Sequence, residues 1–359
     1  MRRRRTGQTC SRSPHLSSET QTVEHLDVAV IGVGLQGGGH LASYRALPGV
    51  NLVAVCDLNA EAAQAAAAAN GIPNCYTDYR EMLAREKLDA VSVVIPDHLH
   101  YEPTMAALAA GAHVLLEKPM ALSVAEAEEM AAKAEETGLN LMVNFSHRHQ
   151  LPSIMAKQRI DSGEVGQPIY AYARLNNTLF VPTKMLSWSR KTALPFWLIS
   201  HELDRLRWFF GSEAQKVYAV SYSGVLKAKG YDVADLYQAT VTFDNGAIGN
   251  VESAWILPET APWVADCRTH FICTDGWLDI DHMEPVVKVA TSQKYSHPGI
   301  MGGIIRGEPV GTVFEAVKHF VRCVQRGEKT DVTPEDGVAI TKIACAIVES
   351  AERGEPVEL

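Results

Sequence analysis

The sequence predicts an α/β half followed by an α+β half: a doubly wound parallel sheet first, then a domain built on a largely antiparallel sheet. Three observations predict it. Up to about residue 150, short apolar runs alternate with segments of helical length; beyond it, longer strand-like segments follow one another with few helices between them. The length of 359 residues also suits about two domains at ~150 residues each. Strands that are apolar throughout and separated by helices mean a parallel sheet covered on both faces.

The first strand is read at 26–31 (LDVAVI), ending at Gly32, and the second at 52–57 (LVAVCD). Between them Leu41, Tyr44 and Leu47 are spaced like one helix face. Residues 60–69 hold eight Ala with Glu61 and Gln64, a strong helix former. Further strands are read at 91–95, 113–117 and 141–145. The helix before the last of these opens on a capping box, Ser123 with Glu126, and closes at Gly138. In the second half, strands are read at 168–176, 214–223, 235–243, 247–257 and 265–281. Asp244-Asn245-Gly246 is a hairpin turn. One helix is read near 202–210, stopped by Gly211, and two close the chain at about 312–326 and 334–353. The domain reading is a disordered tail over 1–25, a nucleotide-binding domain over 26–150 and a substrate and oligomerisation domain over 151–359. The terminal helices are expected to pack back on the first domain.

The net charge is −9, and residues 1–26 carry five Arg and two Glu, leaving −12 on the remainder. An acidic body suits nucleic acid poorly, because duplex affinity comes from neutralising phosphates. No uncharged apolar stretch is long enough to span a membrane, and no apolar segment follows the Arg2–Arg5 run as an export signal would require. Seven scattered Cys without a CxxC pair fit reduced thiols. A cytoplasmic location is the expectation, with neither nucleic acid nor membrane as partner. The tail lacks an apolar pattern, so deleting residues 1–25 should leave melting temperature and turnover nearly unchanged. Calorimetry and steady-state rates on the truncated chain check this.

Gly32, Gly34 and Gly37, with Leu35 and Gln36 between them, form a GxGxxG turn between a strand and a helix. The first Gly makes the turn, the second lets a pyrophosphate approach, and the third lets helix and strand pack closely. The helix N-terminus then offers free N–H groups to phosphate. Asp57 ends the next strand, where a carboxylate hydrogen-bonds ribose hydroxyls and repels a 2′-phosphate. Leu58 and Asn59 supply no cation for such a phosphate, so the expected cofactor is NAD rather than NADP. Lys118 ends the fourth strand, beside the cleft where partial burial suits a Lys to proton transfer. The pairs His98-x-His100 and His147-x-His149 lack a Cys or carboxylate cluster to complete a tetrahedral site, so no metal is expected.

With these motifs the chain resembles the Gfo/Idh/MocA family, the glucose-fructose oxidoreductase-like and inositol-dehydrogenase-like proteins, over about residues 27–359. The carriers are VAVIGVGLQG, VAVCD, Pro96-Asp97-His98-Leu99-His100, AGAHVLLEKP, His201-Glu202-Leu203-Asp204 and the closing VTPEDGVAI…AIVESAERGEPV. The resemblance implies a Rossmann nucleotide domain. It implies that the Pro96–His100 loop lies along the cofactor and that Glu117 contacts the nicotinamide-side ribose. It implies that Lys118 touches both that ribose and a substrate hydroxyl, with Pro119 often cis. Asn144 and Arg148 match the loop bordering the active site, on the cofactor and substrate sides respectively.

One departure stands out. The family often places an Asp four residues before its motif His; here His201 is preceded at that distance by Trp197. An indole offers one N–H donor and no strong acceptor. Trp197 is therefore either core or a stacking surface for a sugar. Ser189, Arg190 and Lys191 lie upstream, placed to meet hydroxyls or a carboxylate. Lys118 and His201 are expected to share the hydroxyl proton, His201 titrating near neutrality with Asp204 orienting its ring. The reading is an NAD-dependent oxidoreductase acting on a sugar, cyclitol or related polyol, assembled as a homodimer or homotetramer. Two rivals stay open: an enzyme that oxidises, eliminates and re-reduces a sugar on retained NAD, and a non-catalytic dinucleotide sensor.

Overall fold

The structure, a computed structural model, describes residues 25–283, 289–290, 295–296 and 302–359. The expected disordered tail lies outside them except for exposed His25. The first half runs β1 (Leu26–Ile31), α1 (Leu35–Ala46), β2 (Val50–Cys56), α2 (Ala60–Asn70), β3 (Asn74–Tyr76), α3 (Tyr79–Arg85), β4 (Ala90–Val93), α4 (Tyr101–Ala109), β5 (His113–Leu116), α5 (Val124–Thr137) and β6 (Leu141–Val143). Its six strands are all parallel, in the order β3-β2-β1-β4-β5-β6. β4 and β6 are buried along their whole length, as a sheet covered on both faces requires. Strand order reverses between β1 and β4, so a crevice opens at their carboxyl ends.

Two local features differ from expectation here. β3 was not anticipated, because three residues, Asn-Cys-Tyr, carry too little apolar signal. Ser123 does accept the Glu126 backbone N–H at 3.3 Å, but the reciprocal half of the capping box is not formed. The reciprocal box occurs instead at Thr333 and Asp336, opening the last helix.

The second half runs α6 (Leu151–Asp161), β7 (Pro168–Asn177), α7 (Ser200–Phe210), β8 (Ala214–Tyr222), α8 (Val225–Ala228), β9 (Leu236–Phe243), β10 (Ile248–Ala254), β11 (Ala265–Cys273), β12 (Trp277–Asp281), β13 (Val289–Ala290), β14 (Tyr295–Ser296), β15 (Gly302–Ile305), β16 (Glu308–Gly311), α9 (Thr312–Arg326), α10 (Pro334–Arg353) and β17 (Val357–Glu358). Seven strands form one sheet, β12-β11-β7-β10-β9-β8-β17. The pair β9–β10 is the hairpin expected at Asp244–Gly246. The β10–β7 pair is parallel, so the sheet is mixed rather than wholly antiparallel. The stretch 265–281 is two strands, because Cys273 N–H bonds Gly276 O at 2.8 Å and turns the chain back.

Alternation in β9 shows how this sheet sits. Tyr237, Ala239, Val241 and Phe243 are buried, while Gln238, Thr240 and Thr242 face the less covered side. The terminal helices do return to the first half, α9 against α1 and α10 against α5. Their buried stripes include Val317, Phe320 and Val321 on α9 and Ile340, Ile343 and Ile347 on α10. No helix among the described residues is long and apolar enough to cross a membrane.

Candidate active site

The crevice between β1 and β4 begins with the glycine turn. Gly32 has φ +94°, and a Cβ there would lie 2.0 Å from Val94 O. A Cβ on Gly37 would lie 2.1 Å from Gly32 O, so that position admits only Gly. A Cβ on Gly34, by contrast, would meet nothing within 4 Å. The middle glycine thus faces open space, as an approaching pyrophosphate needs. α1 starts there with no capping side chain and no acid in its first turn, and Leu35 and Gln36 are exposed. Its first N–H groups are therefore free for an anion.

Asp57 is fixed beside this turn. Its Oδ2 accepts the Val33 N–H at 3.0 Å and its Oδ1 the Asn59 N–H at 2.9 Å. A carboxylate has about four acceptor sites, so capacity for two ribose hydroxyls remains. Leu58 beyond it is 86% exposed. An open helix N-terminus, a cleared glycine and a held carboxylate fit an NAD adenosine and pyrophosphate. We expect NAD(H) to bind at least ~10-fold tighter than NADP(H), about 1.4 kcal/mol. Parallel titrations decide this, and equal affinities would mean Asp57 does not read the ribose.

Deeper in the crevice Glu117 is buried. Its Oε1 accepts from His40 Nε2 at 3.0 Å and from Asn144 Nδ2 at 2.7 Å. His40 Nδ1 meets Ser92 Oγ at 3.1 Å, and Ser92 Oγ meets Tyr44 OH at 2.7 Å. Burial pushes the Glu117 carboxyl up, but the His40 and Asn144 hydrogen bonds and the Lys118 charge leave it below the usual range. His40 was missed in the sequence; its position three residues after Gly37, on the inner side of α1, is the signal that could have found it.

His100 does different work from a cofactor ligand. Its Nδ1 meets Pro119 O at 2.8 Å and its Nε2 meets Ile95 O at 3.0 Å, so both ring nitrogens face main-chain carbonyls. It ties the loop after β4 to the loop after β5, where the Lys118–Pro119 bond is cis. Pro96 starts the short helical turn Asp97–Leu99, accepting the Leu99 N–H at 2.9 Å.

Lys118 reaches across the cleft. Its Nζ donates to Trp197 O at 2.6 Å and lies 3.9 Å from the centre of the Trp197 ring. Lys118 is part-exposed as a residue, yet its ammonium end is enclosed. Burial brings its pKa down to about 8, against opposing pulls from Glu117 and Asp97. Trp197 is neither pure core nor an open platform: Lys118 lies on its ring face and Trp188 packs at 80° with centroids 5.3 Å apart. His201 lies one turn further along the helix, and its ring stacks on His147 at 4.0 Å. Burial, with the neighbouring His147 and Lys118, holds His201 well below the usual imidazole range. It is neutral near pH 7 and does not titrate there, contrary to expectation.

Two expected substrate contacts are engaged elsewhere. Arg148 is buried, and its Nε and Nη2 donate to Asp204 at 2.9 Å and 2.6 Å, while Nη1 donates to Asp331 O at 3.1 Å. Asp204 therefore anchors Arg148 and does not orient His201, whose Nδ1 is buried without a partner. Arg190 sits over the Tyr231 ring at 4.8 Å. Its neighbour Lys191 meets His98 Nε2 at 3.4 Å.

The expectation that no Cys and carboxylate complete a His site also changes. His147, Glu202 and Cys267 bring ligand-type atoms within 4.8 Å of one another, all buried. Arg205 already donates to Glu202 and to Cys267 Sγ, the latter at 3.5 Å. Burial and then Glu202 push the Cys267 thiol up to about 12, so it is a protonated thiol beside a guanidinium. The trio holds an arginine where a cation belongs.

Comparison with known proteins bears on the family and the fold. Residues 26–145 match the model of an oxidoreductase family with an NAD-binding Rossmann fold, and residues 154–279 match the GFO/IDH/MocA C-terminal domain. The chain is 29% identical over 336 residues to a scyllo-inositol 2-dehydrogenase (NAD(+)) of Bacillus subtilis strain 168, covering 92% of this chain and 95% of that one. It is 33% identical over 252 residues to a D-glucoside 3-dehydrogenase of Escherichia coli K12, covering 66% and 72%. It superposes on the crystal structure of a myo-inositol 2-dehydrogenase from Lactobacillus plantarum with TM-score 0.82 and 24% identity, over 93% and 99% of the two chains.

Proposed function

The chain belongs to the Gfo/Idh/MocA family of NAD-binding oxidoreductases, and from that premise we propose that it interconverts a hydroxyl and a carbonyl on a sugar, cyclitol or related polyol. The observation that carries the reading is the enclosed Lys118 ammonium at the carboxyl end of β5, with the glycine turn, Asp57 and Glu117 lining the same crevice. Relatives named for inositol and glucoside oxidation support the substrate class.

In this reading Gly34, Leu35, Gln36 and Asp57 hold the adenosine and pyrophosphate, and Glu117, Asn144 and Lys118 hold the nicotinamide side. NAD, when bound, supplies the hydride acceptor or donor. Lys118 moves the hydroxyl proton, and neutral His201 holds the hydroxyl by a hydrogen bond. His100 and Arg148 brace the loops that carry these groups. The exposed outer side of the seven-stranded sheet, with Tyr218, Val220, Tyr222, Ile248 and Ile272, is where a second copy would pair. Light scattering tests that assembly.

A screen of NAD+ reduction across sugars and cyclitols tests the activity. Its pH dependence carries a sign. Lys118 must be neutral to accept the proton, so alcohol oxidation should rise with pH through about 8 and carbonyl reduction should fall over the same span. A flat profile across that span would remove Lys118 as the proton acceptor.

A further inference from the structure

We propose that Trp197 is the positioning residue for Lys118: its main-chain carbonyl and its indole face together hold the amine at the cleft, and the ring face sets how readily that amine gives up its proton. The proposal deepens the reading above and rests on it for the part Lys118 plays in the reaction.

The contacts of the amine carry the argument. Lys118 Nζ donates to Trp197 O at 2.6 Å and lies 3.9 Å from the centre of the Trp197 ring. Two acids stand near it, Glu117 at the end of its own strand and Asp97 on the loop after β4, and both favour its charged form. Neither forms an ion pair with it among the described residues. Glu117 is turned to His40 and Asn144. Asp97 is turned to Thr192 Oγ1 at 2.5 Å and the His98 N–H at 2.7 Å. The other titratable groups that face the amine are the stacked rings of His147 and His201, which burial holds neutral. The direct contacts of the ammonium are therefore both with Trp197.

The two contacts do different work. A carbonyl oxygen accepts an N–H from the ammonium and from the neutral amine, so it fixes position in either state. The face of an indole attracts a cation through the ring quadrupole and a neutral amine far less, so it favours the protonated form. Burial draws the amine down to about 8, and the ring face opposes that pull. Trp197 Nε1 is buried without a partner. Its N–H lies in the ring plane and cannot donate to an amine above the face. Neither the carbonyl nor the face offers a proton to the amine, so the lone pair that appears on deprotonation is left for a hydroxyl in the cleft. Trp188 braces the ring, packing at 80° with centroids 5.3 Å apart.

The test uses the full chain saturated with NAD+ and labelled with 13C at lysine Cε, the Lys118 resonance being the one that Lys118→Met removes. Its pH titration gives the midpoint directly. Trp197→Met keeps the carbonyl and apolar bulk but removes the π face. It should lower the midpoint by about one pH unit, a ~10-fold loss of proton affinity or about 1.4 kcal/mol. Trp197→Phe keeps a π face and should stay within about half a unit of the wild type. A midpoint in Trp197→Met at or above that of the wild type, or one in Trp197→Phe as low as in Trp197→Met, would overturn the proposal. A second measurement needs no Trp197 variant and is independent of how the variants fold. Tryptophan emission of the wild type should step at the Lys118 midpoint, as the charge leaves the indole face, and the step should be absent from Lys118→Met. Emission without that step also overturns the proposal. NAD+ reduction across polyols is read separately. Where turnover is seen, the pH limb of Trp197→Met should move down with the midpoint, and a limb that stays in place would take Trp197 out of the reaction. A midpoint that moves as expected in a protein that reduces no NAD+ leaves this proposal standing and refutes the oxidoreductase reading.

Discussion

Lys118→Ala should cut turnover by ~100-fold or more, the scale expected when a positioned acid–base group is lost, while NAD titrates as before. The Lys118 ammonium is enclosed and held by Trp197 O, and no other described amine shares that position. The pH limb near 8 should vanish with it. His201→Ala should also slow turnover but leave the limb in place, because burial already keeps that ring neutral. Rate–pH profiles of the two variants separate the roles. A Lys118→Ala enzyme with normal turnover would make Lys118 a turn residue.

Arg148→Met should be the most damaging change to stability. It strands Asp204, a fully buried carboxylate whose charge Arg148 neutralises through two nitrogens. Removing one partner of a buried pair costs about 3–5 kcal/mol, here a fall in melting temperature of roughly 10 °C. Burial raises the Asp204 pKa against the Arg148 charge, so an unpaired Asp204 would take up a proton and recover part of the loss. Thermal unfolding of Arg148→Met and Asp204→Asn measures the effect. A variant of Arg148 with normal melting and a raised KM would return this residue to the substrate.

These two residues show what the sequence does and does not disclose. Lys118, Asp57 and the glycine turn were legible because their positions follow from local rules: a strand end, a helix start, a residue without a side chain. The closing helix was legible at both ends for the same reason, Thr333 opening it and Gly354 stopping it. Arg148 was misread because its partner is 56 residues away, and no local pattern says which carboxylate a buried guanidinium will find. Cys267 and Glu202 meet across 65 residues on a strand and a helix, so their proximity is a product of packing alone. The parallel β7–β10 pair likewise depends on register between distant segments. His40 looked like an ordinary helix residue; only the approach of Glu117, 77 residues on, gives it work.

The return of α9 to α1 and of α10 to α5 bears on how the chain is made. Ribosomes deliver residues in order, and N-terminal domains fold first during synthesis. The parallel sheet can form once β6 has emerged, yet α1 and α5 keep bare flanks until more than 150 further residues have followed. Throughout that interval the nascent chain presents the flanks of α1 and α5 that α9 and α10 will later cover. A stall before residue 312 therefore leaves those flanks uncovered, and apolar surface exposed in this way during synthesis favours aggregation and chaperone capture.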